Sequence, residues 1–242
     1  MYKAEEITTV HLEVTERCNA SCPQCARNIN GGEVNPQLHN AELSLDDVKQ
    51  ILKPAFIKQL KRLYMCGNYG DPISATDTLE IFEYIRSHND KMQLSFHTNA
   101  SAKTPEWWSK LPVAMGKNHY VVFSLDGLED TNHLYRQGTV WKKIMENAQA
   151  FIAAGGRARW DYIVFGHNEH QVELARALAE SMGFEKFNVK KSNRFFSNTR
   201  GAVKADHQAG NRKGSETTLL SMPKNPEYQN AALKQLESLS KD

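Results

Sequence analysis

Three of the chain's four cysteines stand within eight positions, Cys18-Asn-Ala-Ser-Cys22-Pro-Gln-Cys25. Three thiolates in one loop can wrap a compact inorganic core, and thiolate ligation selects soft metals, either zinc or an iron–sulfur cluster. A structural zinc site wants four ligands closed tetrahedrally, usually as two pairs. Here the second pair is missing, and neither His11 nor His39 stands at a finger spacing. A cubane held by three cysteines leaves one iron without a protein ligand, and an open iron can take a substrate or cofactor. The spacing therefore favours an iron–sulfur site over a zinc-stabilised binding module without catalysis, and over cysteines that merely pack. Cys66 lies alone in the sequence. It either faces a site or serves as a small buried apolar residue, and the sequence assigns it no role.

The other chemistry-bearing residues fall where strands should end, which is where ligands gather in parallel α/β folds. Gly67-Asn68-Tyr69-Gly70-Asp71-Pro72 follows the second predicted strand. Its two glycines let the backbone approach a ligand closely, or simply make a turn before a helix. The third predicted strand ends in His97-Thr98-Asn99, with His97 and Asn99 on one face, as candidates for substrate contact or as core residues. The fourth ends in Ser124-Leu125-Asp126-Gly127, and alternation puts Ser124 and Asp126 together while Phe123 and Leu125 face the helices. Arg136, in Tyr135-Arg136-Gln137-Gly138, offers bidentate recognition of a carboxylate or a surface ion pair. After the fifth comes Gly166-His167-Asn168-Glu169-His170, where a metal reading is weak and Asn168 is expected to cap a helix.

Six strand–helix units must position these residues. Strands are expected over residues 8–15, 60–66, 92–98, 119–125, 158–165 and 187–191. Helices are expected over residues 43–58, 76–87, 140–154 and 169–182, and one starts at Pro105, a favourable first-turn proline. Ser44 should cap the first helix, and the pair Gly155-Gly156 and then Gly183 should stop the last two. Strands separated by helices argue for parallel βαβ units, too few for a closed eight-stranded barrel. An α/β fold follows, as an open doubly wound sheet or a partial barrel.

Beyond residue 192 the rhythm stops, so residues 1–192 read as one domain and residues 193–242 as a tail of basic loop and amphipathic helix, the helix over residues 227–239. Lys186, Lys190, Lys191, Arg194, Arg200, Lys204, Arg212 and Lys213 meet only Asp206 as an acid, with Phe195 and Phe196 among them. That stretch is either a solvated loop or a surface for RNA through phosphates and stacking. For the whole 242 residues, 40% hydrophobic and 24% charged residues describe an ordinary globular chain. A formal net charge of +2 is too small to imply a polyanionic partner for the molecule as a whole. No basic-then-apolar leader opens the sequence, and no apolar run approaches the roughly 18 residues of a membrane span. The expectation is a soluble cytoplasmic protein with no membrane partner.

CNASCPQC directly after a strand resembles the cluster signature of the radical S-adenosylmethionine (SAM) superfamily. The resemblance covers about residues 8–192 and implies a partial (β/α)6 TIM-like barrel. It implies a [4Fe–4S] cluster on Cys18, Cys22 and Cys25, with SAM chelated at the open iron through its amino and carboxylate groups. One electron then cleaves the sulfonium, giving a 5′-deoxyadenosyl radical that abstracts hydrogen from a substrate. Gly70-Asp71-Pro72 is similar to the family's Gly-Gly-Glu-Pro-like motif, which implies contact of Asn68, Tyr69, Gly70 and Asp71 with SAM. Ser124, Asp126 and Arg136 match a Ser-x-Asp-Gly and Tyr-Arg-x-Gly pattern, which implies the SAM carboxylate or ribose. Gln24 stands where the family usually has an aromatic residue, a position that implies contact with SAM, and Thr98-Asn99-Ala100 stands where it has Thr-Asn-Gly. The core is similar to the SPASM/twitch branch, but no cysteine follows Cys66 to hold an auxiliary cluster. The branch implies a peptide or protein substrate and a flavodoxin- or ferredoxin-like electron donor. The basic tail motivates RNA or a nucleotide as the alternative.

Overall fold

In a computed structural model, which describes residues 3–195, 206–210 and 218–231, the core of the chain is one six-stranded parallel sheet. Its strands are β1 (Thr9–His11), β2 (Arg62–Cys66), β3 (Gln93–Thr98), β4 (His119–Ser124), β5 (Ala158–Val164) and β6 (Lys186–Lys191), and they pair in chain order. Neighbours run parallel throughout, with Tyr64 beside Ser95 and Ser124 beside Asp161. The helices between them are α1 (Leu45–Ile51), α2 (Pro54–Gln59), α3 (Thr78–His88), α4 (Pro105–Met115), α5 (Asn132–Tyr135), α6 (Trp141–Ala153) and α7 (Val172–Met182). This is the α/β architecture expected from the six units, in the partial-barrel form that the family resemblance implies. Parallel pairing needs a crossover on each strand, and the helices supply it.

Alternation sorts the two faces. On β5, Ala158, Trp160, Tyr162 and Val164 are buried toward the helices, while Arg159, Asp161 and Ile163 are only partly covered on the opposite face. Trp108 of α4 sits at the middle of the core, its ring centroid 5.4 Å from that of Phe123 and 6.1 Å from that of Phe151. A second, smaller apolar cluster joins Tyr135, Phe165, Phe195 and Leu220 with Ala20 and Cys22.

Several expectations are corrected. The helix over residues 43–58 is two helices, because Pro54 has no N–H to continue α1 and holds Lys53 extended. Ser44 caps α1 as expected, its side chain accepting from the Asp47 N–H. The strand over residues 8–15 pairs with β2 only as Thr9–His11. Beyond it the Leu43 N–H donates to the Val14 carbonyl and Thr15 bridges Glu42, so the chain swaps partners. Before α7, residues 169–171 form a 3-10 turn rather than helix. Asn168 does not cap that turn. Its side chain accepts from Phe165 N–H and donates to the carbonyls of Asp126 and Ile163, tying the end of β5 to the loop after β4.

The region read as loop contains β7 (Asp206–Ala209), which forms an antiparallel hairpin with β8 (Thr218–Ser221). The Gly166 N–H donates to Ser221, docking the hairpin on the end of β5. Phe195 is 2% exposed and packs on Phe165, so it offers no ring for stacking. Of the expected C-terminal helix, Pro226–Tyr228 is a 3-10 turn capped by Asn225, and the part from residue 232 lies outside the described residues. So do Phe196, Arg200, Lys204, Arg212 and Lys213. Among the described residues, no helix is long and apolar enough to cross a membrane.

Candidate active site

The chain leaves β1 and forms the cysteine loop over the C-terminal ends of the strands. Local bonds shape that loop. Cys25 N–H donates to the Cys22 carbonyl, Ser21 N–H reaches the Gln137 carbonyl, and the Ser21 hydroxyl donates to Gly31. Ala20 N–H lies 3.3 Å from Cys18 Sγ. Cys18, Cys22 and Cys25 all line one cleft of about 170 Å³, and none of the four cysteines is in a disulfide. Burial, with Asp71 and Cys22 nearby, pushes the Cys18 thiol up to about 12. Burial likewise raises Cys22 to about 11, opposed by Arg136. Such buried thiols ionise readily only against a cation, which a metal cluster supplies.

The Gly67–Asp71 loop closes one side of the cleft. A Cβ on Gly70 would stand 1.9 Å from the Thr15 carbonyl oxygen, so only glycine lets this loop press against the segment leading to Cys18. Asp71 N–H donates to the Arg17 carbonyl across the same contact. The Asp71 carboxyl is buried and turned inward. One oxygen accepts from Asn99 N–H at 2.8 Å, Asn99 Nδ2 at 2.8 Å and the Thr98 hydroxyl at 3.1 Å, while the other accepts from Ile73 N–H at 3.2 Å. Burial raises its pKa to about 6 despite these donors. Asn99 Nδ2 also stands 3.6 Å from Cys18 Sγ, so the end of β3 touches the first cysteine.

Asp126, at the loop after β4, is 0% exposed. It accepts from Ile163 N–H at 2.6 Å and from Arg136 Nε at 2.6 Å. Arg136 in turn lines the cleft, and its Nη1 lies 3.7 Å from Cys22 Sγ. Burial raises the Asp126 pKa, with Arg136 opposing the shift.

The cleft therefore gathers Cys18, Cys22, Cys25, Tyr69, Gly70, Asp71, His97, Asn99, Ser124 and Arg136. Tyr69 is 43% exposed at its rim. Asn68 lines an adjoining lobe of about 360 Å³, with its amide bonded to Glu13. Asp126 lines neither lobe and acts on the site through Arg136. Gln24 lines neither as well. Its side chain donates to the Arg194 carbonyl and accepts from the Ser192 hydroxyl, pinning the segment after β6 over the cysteine loop. Burial lowers the His97 pKa, so its ring is neutral at neutral pH.

Sequence reasoning missed part of the second lobe, to which Cys66, Asp161, Lys190, Lys191 and Arg194 also contribute. The alternation of β2 and β5 was the available signal, since Cys66 shares a face with Arg62 and Tyr64, and Asp161 with Arg159. Among the described residues, no three His, Cys, Asp or Glu converge on a single ion. A cubane places each thiolate on a different iron, so its cysteines must ring a space rather than meet at a point. Cys18, Cys22 and Cys25, ranged around one cleft whose wall Cys66 also joins, fit that donor set.

Residues 12–180 match the family model of the Radical SAM superfamily. No curated protein matches the sequence. Among solved structures, Streptococcus suis SuiB bound to precursor peptide SuiA is 17% identical with a TM-score of 0.60, over 82% of this chain and 42% of that one. SuiB bound to S-adenosylmethionine is 16% identical with a TM-score of 0.60, over 97% and 47%. Native anSMEcpe with bound AdoMet and Cp18Cys peptide is 16% identical with a TM-score of 0.60, over 81% and 54%. The chain spans under half the length of the SuiB chains it resembles. At such identities the likeness speaks to the fold alone. The cofactors of the matched family are a [4Fe–4S] cluster and SAM. With 169 of its 242 residues under the family model and the three cysteines of the signature in one cleft, this chain belongs to the radical SAM superfamily.

Proposed function

We propose that the protein is an enzyme that holds a [4Fe–4S] cluster on Cys18, Cys22 and Cys25, binds SAM beside it, and removes a hydrogen atom from a peptide or protein substrate. The observation that carries this reading is the single cleft at the C-terminal edge of the sheet that all three thiols line. When bound, the cluster and SAM would supply one-electron reductive cleavage of a sulfonium, the source of the power to take a hydrogen atom from a substrate C–H bond. The chain's own residues bind and orient. Gly70 lets its loop pack against the Thr15–Arg17 backbone, which sets that loop in the cleft wall beside the cysteines. The Ser124 hydroxyl and the Arg136 guanidinium present donors suited to a carboxylate or ribose. His97, neutral and half-buried between the lobes, is placed to bond substrate together with Asn99.

The peptide assignment is supported by SuiB, solved with its precursor peptide, and by anSMEcpe, solved with a peptide. Of the basic stretch, Lys190, Lys191 and Arg194 line the second lobe, but the buried Phe195 removes one of the rings an RNA reading needs. Reduction calls for a low-potential donor of the flavodoxin or ferredoxin kind, and cytoplasm keeps the thiols reduced.

Anaerobic reconstitution tests the reading. Wild-type protein is expected to take up iron and inorganic sulfide, turn brown, and form 5′-deoxyadenosine from SAM under dithionite. The C18A/C22A/C25A variant is expected to do none of these. A single zinc without sulfide in wild-type protein would refute the proposal.

A further inference from the structure

Arg136 joins a cluster cysteine to a fully buried counter-charge. Its Nε is held by Asp126 at 2.6 Å, and its Nη1 points at Cys22 Sγ from 3.7 Å. Asp126 is itself fixed by Ile163 N–H, and its own N–H donates to the Asn132 side chain at 2.9 Å. Cys22 and Asp126 are both buried, so water screens these charges little. We propose that the Arg136–Asp126 pair sets the reduction potential of the cluster, with Arg136 as a positioning residue for Cys22 and Asp126 as the weight that moderates its charge. The inference rests on the cluster proposed above.

The sign follows from charge. Reduction adds one electron to the cluster and leaves the cysteine sulfurs more negative. A guanidinium at one of those sulfurs stabilises the reduced form and raises the midpoint, as hydrogen bonds and nearby charge do at such clusters generally. Asp126 stands on the far side of the same guanidinium and offsets part of that effect. The two residues therefore push the potential in opposite directions. Mere damage to the fold moves both variants the same way.

The experiment is an EPR-monitored redox titration of the full-length, cluster-loaded protein without SAM, so that cofactor affinity does not enter. Arg136→Gln keeps a hydrogen-bond donor and removes the charge. It is expected to reduce the ratio of reduced to oxidised cluster about tenfold at a fixed potential, a downward shift of about 59 mV for one electron. Asp126→Asn is expected to shift the midpoint upward. Arg136→Lys, which keeps the charge, is expected to lie closer to wild type than Arg136→Gln. A midpoint for Arg136→Gln at or above wild type overturns the proposal, as does one for Asp126→Asn at or below it. Should Asp126→Asn fail to fold, equal midpoints for the Gln and Lys variants overturn it instead. Wild-type protein that assembles no iron–sulfide cluster refutes the functional reading. A cluster that assembles and keeps its potential in the variants refutes only this inference.

Discussion

The cysteine loop shows what residue spacing can and cannot reveal. Cys18, Cys22 and Cys25 are legible because a cluster signature is local, with all its ligands within one turn of chain. The residues that support them come from far away. Glu13 holds Asn68 across 55 positions, and Gln24 holds the segment around Arg194 across 170. Nothing in the sequence pairs Arg136 with Asp126, because a carboxylate's partner is settled by folding and not by neighbouring letters. Asp71 is the sharpest case. Its motif reads as a ligand loop, yet its carboxyl collects four hydrogen bonds from Ile73, Thr98 and Asn99. Asp71→Ala strands those buried donors and is expected to lose roughly 2–4 kcal/mol of stability, measured by denaturant unfolding. A loss under about 0.5 kcal/mol, the scale of an ordinary surface change, would contradict that role.

At the scale of elements, apolar alternation and glycine or proline punctuation locate all six strands and most of the helices. The failures have physical causes. Pro54 splits a helix whose amphipathic pattern runs straight through it. The β7–β8 hairpin escapes notice because Asp206–Ala209 is polar and only Leu220 and Ala209 are buried. One strand end carries a pH dependence. His119 opens β4 at 4% exposure, with its Nδ1–H donating to the Gly116 carbonyl and its Nε2 accepting from Arg157 N–H. Burial lowers its pKa below 6.5. The unfolded chain then binds a proton that the folded one refuses, so stability is lost as pH falls below 6.5. Urea midpoints on either side of that pH should show the slope, and His119→Gln should flatten it. An unchanged slope in the variant would assign it to other groups.

The molecule as a whole divides its labour between the two faces of one sheet. The helix-covered face holds the aromatic core around Trp108, and the strand ends and opposite face hold the cleft. Trp108→Ala is expected to cost about 3–5 kcal/mol in unfolding free energy. Iron and sulfide per folded molecule should stay at the wild-type level, because Trp108 touches neither lobe. Metal loss in proportion to stability would show that the two faces are coupled. The strand order has a further consequence. Among the described residues β1 and β6 lie at opposite margins and do not pair, so the curved wall is a gutter and not a tube. A tube must be threaded from an end. A gutter is open along one side as well as at its two ends.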